Sequence, residues 1–155
     1  MTDHHSVHTL SRSTSDQQQT ILIVDDDDAH LQHISGFLRM SVYGIASFHE
    51  PTAALLAVRE GIGIDLVITD YRMPDMNGLE FIKALKYLLP AVPVIMLTAL
   101  GDIDTYFKAF KSGIFEYIHK PVNNDAFLRI VKSGLCKGKS GPVPAVRQGR
   151  SACPY

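Results

Sequence analysis

The chemistry available to this chain rests on a few polar residues that each follow an apolar run. Asp25 and Asp26 come after Ile21-Leu22-Ile23-Val24, and Asp70 comes after Leu66-Val67-Ile68-Thr69. Thr98 closes the run from Val92 to Leu97, and Lys120 stands just beyond the run from Phe115 to Ile118. Carboxylates brought within about 4 Å of one another repel by roughly 4 kcal/mol per pair at an effective dielectric of 20, so such a cluster favours a cation. Oxygen ligands without a nearby His or Cys select a hard ion, and a site with few protein ligands suits Mg²⁺, which keeps waters and awaits a phosphate oxygen. The Lys120 ammonium and the Thr98 hydroxyl add what the equatorial oxygens of a phosphoryl group require. Asp70 is left as the nucleophile, able to become an aspartyl phosphate.

Taken singly, each residue has a plainer reading. The acids Asp25 to Asp28 could be a solvated run, with Asp27 and Asp28 capping a helix. Thr98 could be a strand-end hydroxyl, and Lys120 before Pro121 a surface lysine in a turn. Their common position at strand ends, where open α/β sheets place their ligands, is what joins them.

The elements that would hold them follow from apolar spacing. Strands are expected at Ile21–Val24, Tyr43–Phe48, Leu66–Thr69, Val92–Leu97 and Phe115–Ile118. Helices are expected to about Met40, from Pro51 to Gly61, from Leu79 to Leu89, from Ile103 to Ser112, and from Asn123 to Gly134. Alternation of buried strands with helices predicts a parallel sheet covered on both faces, a doubly wound, flavodoxin-like (βα)5 three-layer sandwich. Right-handed crossovers give the strand order 2-1-3-4-5, with the switch point between strands 1 and 3. The two strands that end in acids become neighbours at that crevice.

Composition bounds the answer without choosing it. The 155 residues allow one ordinary domain, and 46% hydrophobic with 20% charged residues reads as globular. A formal net charge of -1 supplies no basic field for nucleic acid. No apolar run approaches the roughly 18 residues that span a bilayer, and residues 1–19 lack the apolar centre of a signal peptide, so a cytoplasmic protein with no membrane partner is expected. Residues 1–19 read as a disordered leader, 20–135 as the folded domain and 136–155 as a disordered tail. His4, His5 and His8 lie in that leader without Cys or acidic partners at ligand spacing. Cys136 and Cys153 offer no disulfide framework or metal spacing.

Ile-Leu-Ile-Val-Asp25-Asp26, Asp70-Tyr-Arg-Met-Pro-Asp-Met-Asn-Gly78, Leu97-Thr98-Ala99 and Lys120-Pro121, in that order and at these separations, resemble the receiver domain of bacterial two-component response regulators. The resemblance spans about Thr20 to Leu135. It implies that Asp70 receives a phosphoryl group from a phosphohistidine on a sensor histidine kinase. It implies direct Mg²⁺ ligation by Asp26 and Asp70, with Asp25 acting through water and the backbone carbonyl of Arg72 completing the protein's share. Thr98 is then the switch hydroxyl, Lys120 the ammonium partner, the Lys120–Pro121 peptide cis, and Tyr117 the aromatic switch; an ordinary half-buried tyrosine is its plainer reading. Arg72 and Leu100 would flank the phosphoryl group, and an apolar Leu100 implies slow self-hydrolysis. The expected role is a signalling switch that is not an enzyme in its own right.

Gly101-Asp102-Ile103-Asp104-Thr105 and Phe115-Glu116-Tyr117-Ile118 are similar to receivers of the nitrogen-regulation type, which often precede an ATPase and a DNA-binding domain. No G-x-x-x-x-G-K-[ST] loop and no helix-turn-helix length follow Leu135, so the chain reads as a stand-alone receiver or one cut from a longer regulator, without nucleic-acid binding of its own. Ile103, Tyr106, Phe107 and Phe110 recur at helical spacing. Core packing is the plainer reading of Phe107 and Phe110. Tyr106 and Phe110, on the helix 4–strand 5–helix 5 face, are the candidates for a partner or homodimer surface. Two other classes share the architecture: a phosphatase-like hydrolase, which would want an acid where Arg72 stands, and a flavin-type cofactor binder, which would not need the acidic pair or Lys120.

Overall fold

The computed structural model describes residues 18–99 and 101–139. Strands and helices alternate as β1 (Thr20–Val24), α1 (Asp28–Arg39), β2 (Gly44–Phe48), α2 (Pro51–Arg59), β3 (Leu66–Asp70), α3 (Gly78–Leu88), β4 (Val94–Thr98), α4 (Ile103–Lys111), β5 (Glu116–His119) and α5 (Asn124–Lys139). All strand pairs are parallel and the sheet order is β2-β1-β3-β4-β5, a flavodoxin-like arrangement.

Successive side chains of a strand point to opposite faces, so a continuous apolar run feeds two cores at once. Leu22, Val24, Val67, Val94 and Met96 pack with Ala54, Val58, Phe81, Ile82, Leu85 and Ala109, from α2, α3 and α4. Ile21, Ile23, Leu66, Ile68, Ile95 and Leu97 pack on the other side with Leu31, Ile34 and Leu38 of α1 and Phe127, Val131 and Leu135 of α5. The sheet is thereby clamped, and only the strand ends are left for polar groups.

Element boundaries depart from the sequence expectation where a local reason exists. Strand β4 begins at Val94, because Pro93 has no N–H for the ladder; its carbonyl still accepts the Val67 N–H at 3.0 Å. Helix α5 runs on to Lys139, past the boundary expected at Leu135. Gly138 lies against Pro93, and the Lys137 ammonium stands 5.4 Å from the centre of the Phe115 ring, so the helix still has a surface to follow. At the other end, Gln18 donates to the Val42 carbonyl at 3.1 Å and the Gln19 carbonyl accepts from the Gly44 N–H, which ties the last two leader residues to the start of the edge strand and the turn before it. Cys136 is disulfide-bonded, contrary to the expectation for the two cysteines. The expectations for residues 1–17, including His4, His5 and His8, for residues 140–155 and for Leu100 lie outside the described residues.

Candidate functional site

The sequence brings Asp25 to the crevice because β1 ends at Val24 and the Asp25 N–H still bonds the Phe48 carbonyl of β2, at 3.1 Å. Asp27 then caps α1, its carboxylate accepting the His30 N–H at 3.2 Å. Asp28 opens the helix, where a carboxylate suits the dipole. Asp70 is the last residue of β3. Its loop returns sharply: the Gly78 N–H bonds the Tyr71 carbonyl at 2.7 Å, and Asn77 and Glu80 exchange the reciprocal bonds of a capping box, each at 3.0 Å. A β-carbon on residue 78 would lie 2.4 Å from the Asp70 carbonyl oxygen, which is why a glycine stands there.

Asp25, Asp26 and Asp70 each present an oxygen such that all three lie within 4.8 Å of one another. That span fits one small cation, whose oxygen ligands sit at about 2.1 Å from Mg²⁺ or about 2.4 Å from Ca²⁺. The three environments differ. Asp26 is exposed, Asp70 is half-buried and Asp25 is only 3% exposed. The Lys120 ammonium donates to Asp70 Oδ2 at 3.0 Å and stands 3.6 Å from Asp25 Oδ2. Asp70 Oδ1 accepts the Tyr71 N–H at 2.6 Å. Lys120 is held by its own N–H, which bonds the Thr98 carbonyl at 2.8 Å, and the Lys120–Pro121 peptide is cis. Burial pushes the Asp25 carboxyl up, but hydrogen bonds from His30 and the Asp27 N–H, with the Lys120 charge, bring it below its ordinary value.

Thr98 is buried at the end of β4, and its side chain shares a hydrogen bond with the Tyr117 phenol of β5. Burial raises the phenol above its ordinary value and the Asp102 carboxylate adds to this, while the Thr98 bond draws it back. The Tyr117 ring meets Tyr106 of α4 edge-on, with centroids 5.4 Å apart, and Tyr106 in turn lies 4.7 Å from Phe110 and 5.9 Å from Phe107. A chain of contacts thus leads from the acidic crevice to the outside of α4. Arg72 lies in the turn after β3 with its side chain exposed.

Two readings of the sequence are corrected. Phe107 and Phe110 are 57% and 44% exposed, so they do not pack in the core. Helix α4 seats on the sheet side through Thr105 and Ala109, small residues one turn apart, and this turns its aromatic stripe outward. The acidic cluster also has a histidine beside it: His30 Nδ1 bonds Asp25 Oδ2. The sequence offered a signal for it, since His30 lies in the first turn of α1 and side chains of a helix tilt toward its N-terminus, here toward the strand end.

The comparisons with known proteins agree with one another. The response regulator receiver domain family matches residues 21–132. The chain is 40% identical over 130 residues to the transcriptional regulatory protein ZraR of Klebsiella oxytoca, covering 84% of this chain and 29% of the relative. It is 32% identical over 124 residues to the response regulator protein TodT of Pseudomonas putida, covering 80% of this chain and 54% of the relative. The chain therefore spans 29% of the length of one of these curated relatives and 54% of the other. Among solved structures, a CheY-like receiver domain protein from Methanospirillum hungatei superposes with a TM-score of 0.75 at 29% identity, covering 79% of this chain and 97% of that one. A receiver domain protein from Clostridium thermocellum gives 0.71 at 32% identity, covering 76% and 94%. Among the described residues no helix is long and apolar enough to cross a membrane. With the fold, the strand-end crevice and these matches together, the chain belongs to the response regulator receiver domains of two-component systems.

Proposed function

We propose that this receiver takes a phosphoryl group onto Asp70 from the phosphohistidine of a sensor histidine kinase, in the cytoplasm, and signals through the face formed by α4, β5 and α5. The transfer breaks the kinase's P–N bond and forms a P–O bond to an Asp70 carboxylate oxygen, and the freed imidazole nitrogen leaves with the electron pair. The observation that carries this reading is the strand-end cluster: Asp70, held by Lys120 at 3.0 Å, with oxygens of Asp25 and Asp26 within 4.8 Å. Asp26 and Asp70 would hold Mg²⁺ directly, with the Arg72 carbonyl, and Asp25 would hold it through water. A bound Mg²⁺ supplies neutralising charge for the phosphoryl oxygens. Lys120 turns its ammonium to the new phosphoryl group, and Thr98 gives a hydrogen bond to it. A Thr98 hydroxyl drawn to the phosphoryl group must rearrange its bond to Tyr117, and the Tyr117 ring carries that change to Tyr106 and Phe110, the proposed partner or homodimer surface. Leu100 has no polar group to orient a hydrolytic water and the Arg72 guanidinium can shield the phosphoryl group, so the aspartyl phosphate hydrolyses slowly.

Intact mass after incubation with acetyl phosphate and Mg²⁺ tests the chemistry. One added phosphoryl group, absent from Asp70→Asn and absent without Mg²⁺, is the expected result. A wild type that binds Mg²⁺ yet gains no mass from acetyl phosphate or from a phosphorylated kinase would refute it.

A further inference from the structure

The Asp25 carboxylate is nearly enclosed, and both of its oxygens are already in use. Oδ1 accepts the Asp27 N–H at 3.0 Å, and Oδ2 accepts His30 Nδ1 with the Lys120 ammonium 3.6 Å away. Asp26, one residue on, is exposed and free to turn toward an ion. Asp25 therefore enters the site as a fixed charge whose orientation is set by its neighbours. Two of those donors belong to other duties: the Asp27 N–H is backbone, and Lys120 is shared with Asp70. His30 is the side chain whose hydrogen bond is given to Asp25, and it comes from the first turn of α1, a helix anchored in the core by Leu31, Ile34 and Leu38.

We infer that His30 is a positioning residue for the cation site, locking the Asp25 carboxylate through its Nδ1–H so that the carboxylate presents a constant face to a metal-bound water. The inference rests on the metal-dependent reading given above. Partners that orient a ligand in this way typically govern metal affinity by 10–100-fold. The loss of His30 should act through Asp25 and leave the helix cap intact, because the cap uses the His30 backbone N–H and the Asp27 carboxylate. His30→Asn restores an N–H donor close to where Nδ1 lies; His30→Ala restores none.

The experiment is a Mg²⁺ titration of the wild-type chain, His30→Ala, His30→Asn and Asp26→Asn, followed by the Tyr71 amide resonance, whose N–H bonds Asp70 Oδ1 at 2.6 Å. Thermal melts of each variant run alongside. The expected result is Mg²⁺ affinity about 10-fold weaker in His30→Ala, largely recovered in His30→Asn, at melting temperatures that do not track the affinities. Unchanged or tighter binding by His30→Ala overturns the inference, as does an equal loss in both His30 variants. A failure of the metal-dependent reading looks different: the wild type then shows no saturable Mg²⁺ shift, indistinguishable from Asp26→Asn, and both proposals fall.

Discussion

Gly78→Ala tests the construction of the site through its backbone. The added β-carbon would meet the Asp70 carbonyl oxygen at 2.4 Å, Tyr71 Cα at 2.9 Å and the Asp70 carbonyl carbon at 3.2 Å. All three are main-chain atoms, so no side chain can swing aside. Reaching ordinary van der Waals separation from the oxygen needs roughly 1 Å of movement, which must be shared between α3 and the end of β3. That movement also stretches the 2.7 Å bond from the Gly78 N–H to the Tyr71 carbonyl. Overpacking of this kind costs roughly 1–3 kcal/mol, and the better helix propensity of Ala returns less than about 1 kcal/mol. The net loss is about 1–2 kcal/mol, or a fall of roughly 4–8 °C in Tm for a domain near this size. Gly36→Ala is the matched control, since a β-carbon there meets nothing within 4 Å on the exposed side of α1. It should raise stability by up to about 1 kcal/mol. Melts by circular dichroism, with phosphorylation by acetyl phosphate measured on the same samples, read both effects. Gly78→Ala with wild-type Tm and wild-type phosphorylation would refute the argument that this close approach fixes the Asp70 loop.

Other consequences follow from the same geometry. Asp25 has its carboxyl held below the ordinary value in the folded state, so its contribution to stability is complete above the unfolded value and is lost as pH falls through the folded one. In metal-free buffer, acid melts of Asp25→Asn should lack part of the drop that the wild type shows below the ordinary carboxylate range. Tyr106→Ala removes the edge-on contact with Tyr117 and the tilted ring contact with Phe110, for a loss of about 1 kcal/mol by denaturant melt. Tyr117→Phe keeps that ring contact but removes the bond to Thr98, so it should leave phosphorylation of Asp70 intact while reducing any phosphorylation-dependent association, as read by sedimentation. Phe107→Glu, on the exposed stripe, should likewise weaken association without lowering Tm.

The alternation of apolar runs with amphipathic stretches determined the fold by itself, because strands buried on both faces have nowhere to go except between two layers of helices. The convergence of Asp25, Asp26, Asp70, Thr98 and Lys120 was legible for a related reason: the first four stand at the ends of buried runs and Lys120 just beyond the half-buried β5, and in a parallel sheet those ends converge. Three things were decided only by the tertiary structure. Which way α4 faces depended on Thr105 and Ala109 being small enough to sit close to the sheet, a packing choice that left Phe107 and Phe110 outside although they are the more apolar residues. The length of α5 depended on Pro93 and Phe115, distant in sequence, lying where its last turn could rest. The bond between His30 and Asp25 depended on how α1 docks beside the end of β1: the tilt of helical side chains toward the N-terminus points His30 that way, and the docking makes the contact. Periodicity reports which side of an element is buried. The contacts that finish a site are set by how those elements dock.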